Sequence, residues 1–175
     1  TAVFVYVSMW TTLSFADINS DLIKAATSGD SSKVKSILEE GVGGSAKNEA
    51  LVEASASGYK SIVKLLLENG ADINCIHTRL GSPLTIALFR GHTSVVELLL
   101  SKKANVRFEN SSKKTPLDYA AGKGNIKMVN LLLSHGTNLK DVKKDGRSFG
   151  SSALSEAIHE NNQDIVKLLL DKGVD

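Results

Sequence analysis

The side chains able to do chemistry are few in this chain of 175 residues, and they do not gather. His77, His92, His135 and His159 show no spacing of two to five between any pair, so the pairing of ligands that begins a zinc site is absent. Ser148, Ser151 and Ser152 offer hydroxyl nucleophiles, yet no histidine and acid accompany them in a nucleophile-elbow or triad pattern. Gly41-Val42-Gly43-Gly44-Ser45-Ala46-Lys47 has the look of a phosphate-cradling loop, but no glycine directly precedes the lysine and the run follows a helical pattern instead of a strand. A shortened turn between repeated units explains it better. Cys75, the one cysteine, excludes an internal disulfide and suits a reducing compartment. It has no partner ligands and no electropositive setting, so it is read as an inert, partly buried thiol. No catalytic residue, cofactor or metal is expected.

The stronger signal is periodic. Leu65-Leu66-Leu67, Leu98-Leu99-Leu100 and Leu131-Leu132-Leu133 recur every 33 residues, and Leu168-Leu169-Leu170 follows after 37. Gly58, Gly91 and Gly124 keep the 33-residue step, as do Ser82-Pro83-Leu84 and Thr115-Pro116-Leu117. A fixed period of this length marks a repeat array, whose units cannot bury their apolar faces alone and must stack. Ser20, Glu49, Ser82, Thr115 and Ser152 fall at equivalent unit starts, and Gly41, Gly70, Lys103, Gly136 and Gly173 are equivalent near the ends. Residues 1–16 are set apart as an apolar leader or non-repeat segment. Residues 17–175 form the repeat domain, with units at about 20–48, 49–81, 82–114, 115–151 and an incomplete 152–175.

Each unit is expected to be two short antiparallel helices. Ser82 can cap a helix whose first residue is Pro83, where a missing amide proton costs nothing, and Thr115-Pro116 repeats the device. Asp118, three residues after Thr115, completes a capping box. The second helix carries apolar residues three and four apart, as in Ile62, Leu65 and Leu66 or Val95, Leu98 and Leu99, leaving one broad face to bury.

On these residues the chain resembles the ankyrin-repeat family, whose signature combines Thr-Pro-Leu-His-x-Ala, Gly-His, a Val-Val-x-Leu-Leu-Leu run and Gly-Ala-Asp-x-Asn. Ser82-Pro83-Leu84-Thr85-Ile86-Ala87 with Gly91-His92 and residues 95–100 is one copy, Thr115 to Ala120 with Gly124-Asn125 and residues 129–133 is another, and Gly70-Ala71-Asp72-Ile73-Asn74 closes the second unit. The match covers about residues 19 to 175. It implies an all-α repeat solenoid of stacked helix-turn-helix units with β-hairpin-like fingers, which acts as a non-catalytic protein-protein interaction module, scaffold or adaptor. Binding would use the fingers and the exposed side of the first helices. No unit keeps the signature histidine, which is replaced by Ile23, Val52, Thr85, Asp118 and Ser155, so its hydrogen bonds must be made otherwise or lost. Lys24, Asp30, Ser31, Ser32, Lys33 and Lys35 give the first unit the polar character of an amino-terminal cap. No matching cap follows the fifth unit, and the polypeptide is expected to continue past Asp175.

The formal net charge of +2 argues against strong polyanion or nucleic-acid binding. The apolar run in residues 2–10 is far too short to span a bilayer. Three origins fit residues 1–16: a clipped signal peptide, translated sequence upstream of a true start at Met9, or the tail of a preceding domain. The expected location is cytoplasmic, or secreted if residues 1–16 are a clipped signal. In the secreted case Asn110-Ser111-Ser112 becomes a glycosylation acceptor. The alternatives to an adaptor are a fragment of a secreted or host-directed toxin or effector and the regulatory arm of a larger enzyme or channel.

Two successive fingers are basic. Arg107, Lys113 and Lys114 lie in one, and Lys140, Lys143, Lys144 and Arg147 in the next, so stacking would form a patch that attracts an acidic segment of a partner protein. The finger before the fifth unit is expected to be four residues longer than standard and to expose Phe149 as an anchor. Phe89 with Arg90, and Lys123, occupy the variable positions before the turn of the first helix and complete the candidate interface.

Overall fold

The computed structural model describes residues 17–78, 81–110, 112–141 and 146–174. Lys143 and Lys144, residues 1–16 and Asp175 lie outside them. The described residues form five helix pairs: α1 (17–28) with α2 (Ser31–Glu39), α3 (Gly44–Ser57) with α4 (Lys60–Glu68), α5 (Pro83–Arg90) with α6 (Thr93–Ser101), α7 (Pro116–Gly122) with α8 (Ile126–Ser134), and α9 (Phe149–His159) with α10 (Gln163–Asp171). The first helices pack in succession, α3 on α5, α5 on α7 and α7 on α9, and the second helices do likewise from α2 to α8. This is an all-α repeat solenoid. The leucine runs face inward as expected, with Leu66, Leu99, Leu132 and Leu169 fully buried in one core that extends from Leu22 to Val174.

The helix starts explain the register. Ser82 Oγ accepts from the Thr85 amide and Thr85 Oγ1 accepts from the Ser82 amide; Thr115 and Asp118 reproduce the reciprocal pair. Thr85 and Asp118 stand where the signature histidine would be, so in these two units the position still fastens the helix start, by a different bond.

Three unit starts differ from the periodic frame, the first because α1 is already helical at Asp17 and holds Ser20 within it. Ser148, not Ser152, caps the fifth pair: it is extended like Ser82 and Thr115, and its hydroxyl accepts from the Ser151 amide. The step from Thr115 is thus again 33, and the four extra residues lengthen helix α9 instead of the finger. Phe149 stands where the third and fourth units have proline; its amide has an acceptor, the Asp141 carbonyl at 2.8 Å, and the Gly150 amide donates to Leu139 O at 2.8 Å. Phe149 is consequently buried, at 3% exposure, and is not the exposed anchor that a long finger would have presented. In the second unit α3 starts at Gly44, ahead of Glu49, so Gly44 to Lys47 form its first turn.

Successive pairs are latched by the residue that opens the second helix. His92 Nε2 lies 2.9 Å from Ala56 O, and its ring fills the space a Cβ on Gly58 would need, 2.6 Å away. Asn162 Nδ2 donates to Ala121 O and Gly122 O at 2.9 and 2.7 Å. His92 is therefore a structural histidine.

Candidate binding surface

Between the pairs the chain projects turns beside the first helices. In the first complete one, His77 and Gly81 exchange backbone hydrogen bonds of 3.0 and 2.9 Å as a hairpin does, and in the next the Asn110 amide donates to Lys114 O. Asn110 is half-buried and fully engaged: Nδ2 donates to Tyr119 Oη at 2.7 Å, while Oδ1 accepts from the Ser112 and Lys114 amides. The nitrogen that a glycan would occupy is thus tied to Tyr119.

Two of the basic residues expected to form the patch, Arg107 and Lys114, are neutralised by the stacking that brings these turns together. Arg107 meets Asp141 of the next turn at 2.6 Å. Lys114 Nζ donates to Glu156 Oε2 on α9 at 2.8 Å, and that hydrogen bond, against partial desolvation, raises the lysine above its ordinary pKa. Lys113 is exposed with a positive φ of 57°, Lys140 is exposed, and Arg147 is exposed next to the cap of α9.

The expected residues at the ends of the first helices do converge. Phe89, 47% exposed at the end of α5, stands edge-on to Tyr119 of α7, with ring centroids 5.8 Å apart and planes at 78°. The Lys123 ammonium lies 5.1 Å and the Arg90 guanidinium carbon 6.0 Å from the Phe89 centroid, within cation–π range. Neither cation makes an ion pair among the described residues. Gly122, the equivalent of Phe89 in the next unit, adds no side chain to this face, and the space a Cβ would take there is bordered by Glu156 and Glu160.

Phe89 and Tyr119 also form a wall shared by two cavities. One, of about 430 Å³, is lined by Ile76, Ile86, Phe108 and Glu109 together with that wall. The other, of about 190 Å³, is bounded by Lys114, Lys123, Glu156 and Glu160. Ile76, at 66% exposed, is the most solvent-accessible large apolar side chain among the described residues. Ile76, Phe108 and Tyr119 were not singled out by sequence; the signal available was that Tyr119 occupies the position of Ile86 one unit on, so the two share a stripe along the first helices.

No group of three or more histidine, cysteine, aspartate or glutamate side chains able to hold a metal occurs among the described residues, and no helix there is long and apolar enough to cross a membrane. Cys75 is buried, its Sγ donating to Asn48 O at 3.6 Å. Compared with known families, residues 74–143 match a model of three ankyrin repeats, and residues 47–78 and 149–175 each match the single ankyrin-repeat model. No curated protein matches the chain.

Proposed function

The chain belongs to the ankyrin-repeat family, and from that premise we propose that it is a non-catalytic adaptor or scaffold that holds a partner protein on the surface formed by its turns and first helices. Ankyrin repeats are protein–protein interaction modules. The observation that carries the finer reading is Phe89: a half-exposed aromatic ring at the centre of the first-helix face, backed by Tyr119 and flanked by two cations without carboxylate partners. Aromatic and arginine side chains supply a disproportionate share of interface energy. The surface requires no reacting group, and chemistry-bearing side chains such as His92 and Asn110 have structural partners instead.

We further propose a cytoplasmic location, which a single unpaired and buried cysteine supports. The partner contributes an acidic or mixed segment, with its carboxylates directed toward Arg90 and Lys123 more than toward Arg107 and Lys114, whose charges are already met.

A photo-reactive phenylalanine analogue placed at position 89 in the native cell tests this directly. It is expected to crosslink a discrete protein, while the same group at Lys127, on the second-helix side, does not. Equal labelling from the two positions, or none from position 89, would contradict the proposal.

A further inference from the structure

Resting on that protein-binding reading, we infer the chemistry of the segment bound: an extended stretch that seats one apolar side chain in the cavity between Ile76, Phe108 and Tyr119 and carries an aspartate or glutamate two positions away, against Arg90 and Lys123.

The cavity walls set the first half of this motif. Ile86 forms the floor, Phe89 and Tyr119 one side, and Ile76 and Phe108 project from the two neighbouring turns. Ile76 takes no part in the buried core, so its exposure costs hydration without a structural return. The volume of about 430 Å³ lies within the range of pockets that enclose a bound group, and it accommodates an aromatic or branched side chain with part of its backbone.

Charge sets the second half. Of the cations around this face, Lys114 and Arg107 are neutralised by Glu156 and Asp141, whereas Arg90 and Lys123 stand in cation–π range of the Phe89 ring with no carboxylate against them among the described residues. Glu109 lines the cavity and Glu160 lines its smaller neighbour. An anion placed in the smaller cavity would meet Glu160, so the favourable place for a carboxylate is beside Phe89, near Arg90 and Lys123. The same acids oppose a polyanion such as a nucleic acid laid along the face.

Spacing joins the halves. Arg90 lines the cavity and Lys123 lines the smaller cavity that shares the Phe89 wall, 6.0 and 5.1 Å from the Phe89 centroid. An extended chain advances about 3.3 Å per residue and returns a side chain to the same side every second residue, a step of about 6.6 Å. That step is comparable to the distance from the Phe89 ring to either cation, so an apolar residue packed against Phe89 in the cavity brings the residue two positions away near them.

The test is selection of a displayed library of random peptides, each of about a dozen residues to span the face in extended form, on the 175-residue chain, followed by titration of the enriched peptides into variants. Ile76→Asp and the double variant Arg90→Glu/Lys123→Glu alter exposed residues, and circular dichroism checks that both keep the wild-type fold. The enriched peptides should share an apolar residue with an acid two positions away, and each variant should weaken their binding at least about tenfold. Lys127→Glu, on the opposite side, should change it by less than about twofold. Peptides that are weakened by Ile76→Asp but lack the acid, or carry a basic residue there, would overturn the inference and leave the protein-binding reading standing. Failure to recover any peptide sensitive to these substitutions would count against both.

Discussion

Cys75 shows how one residue's surroundings decide its chemistry. Burial first, and then the neighbouring Asp72 carboxylate, push its thiol up to about 11, against a weaker lowering by a backbone hydrogen bond. The thiolate is the reactive form, so the rise from 9.0 to about 11 leaves roughly a hundredth of the usual nucleophile at neutral pH. Its reaction with a disulfide reagent at mildly alkaline pH should be about a hundredfold slower in the folded protein than in urea, and equal rates would show the thiol to be accessible. The linkage to stability has a definite sign. The folded state keeps this proton where the unfolded chain has begun to release it, so stability falls as pH rises from about 9 to about 11, and a Cys75→Ala variant lacks that component.

Helices α9 and α10 differ from their predecessors in what covers them. Ile158 occupies in α9 the position of Ala26, Ser55, Leu88 and Ala121, all of which are buried beneath the following pair, yet it is 60% exposed. Val166 follows the same comparison: Val34, Val63, Val96 and Val129 are fully buried, while Val166 is half-buried. The same class of residue thus carries different energetic weight according to its place in the array. Leu88→Asp should cost about 3 kcal/mol or more, because it buries an unpaired charge between α5 and its neighbours, whereas Ile158→Asp should stay within about 0.5 kcal/mol. Urea denaturation of the two variants of this chain measures the contrast, and equal losses would mean that α9 is covered in solution.

At the scale of the whole molecule, the main helix contacts among the described residues lie within a pair or between adjacent pairs, so stability is close to a sum of unit and junction terms. The junctions are fastened unequally. His92 reaches the Ala56 carbonyl and Asn162 reaches two carbonyls, whereas Asn125 turns its side chain onto the Met128 amide of its own helix. Ion pairs cross the units on both sides of the stack, Lys127 to Glu97 among the second helices and Lys114 to Glu156 beside the first. Asn162→Ala removes two bonds at the last junction alone and leaves both carbonyls without those donors, at about 1–3 kcal/mol. Hydrogen exchange should therefore quicken at least about fivefold in α9 and α10 while α3 to α6 keep their protection. Uniform acceleration would mean that the array unfolds as a single cooperative block.

The sequence by itself determined the period, the inward face of every leucine run, the caps at Ser82 and Thr115 and the prominence of Phe89, Arg90 and Lys123. These follow from local spacing, since 3.6-residue periodicity and capping act over one or two helical turns. The start of α9 was ambiguous locally because Ser148 and Ser152 are both capping residues; carbonyls of Leu139 and Asp141, supplied by the preceding turn, decided it and buried Phe149. Stacking also decided which cations are neutralised, because Asp141 and Glu156 lie 34 and 42 positions beyond the residues they pair with. The Ile76–Phe108–Tyr119 cavity belongs to no single unit. Its walls come from turns and helices one repeat apart, and only their lateral packing brings those side chains to one place.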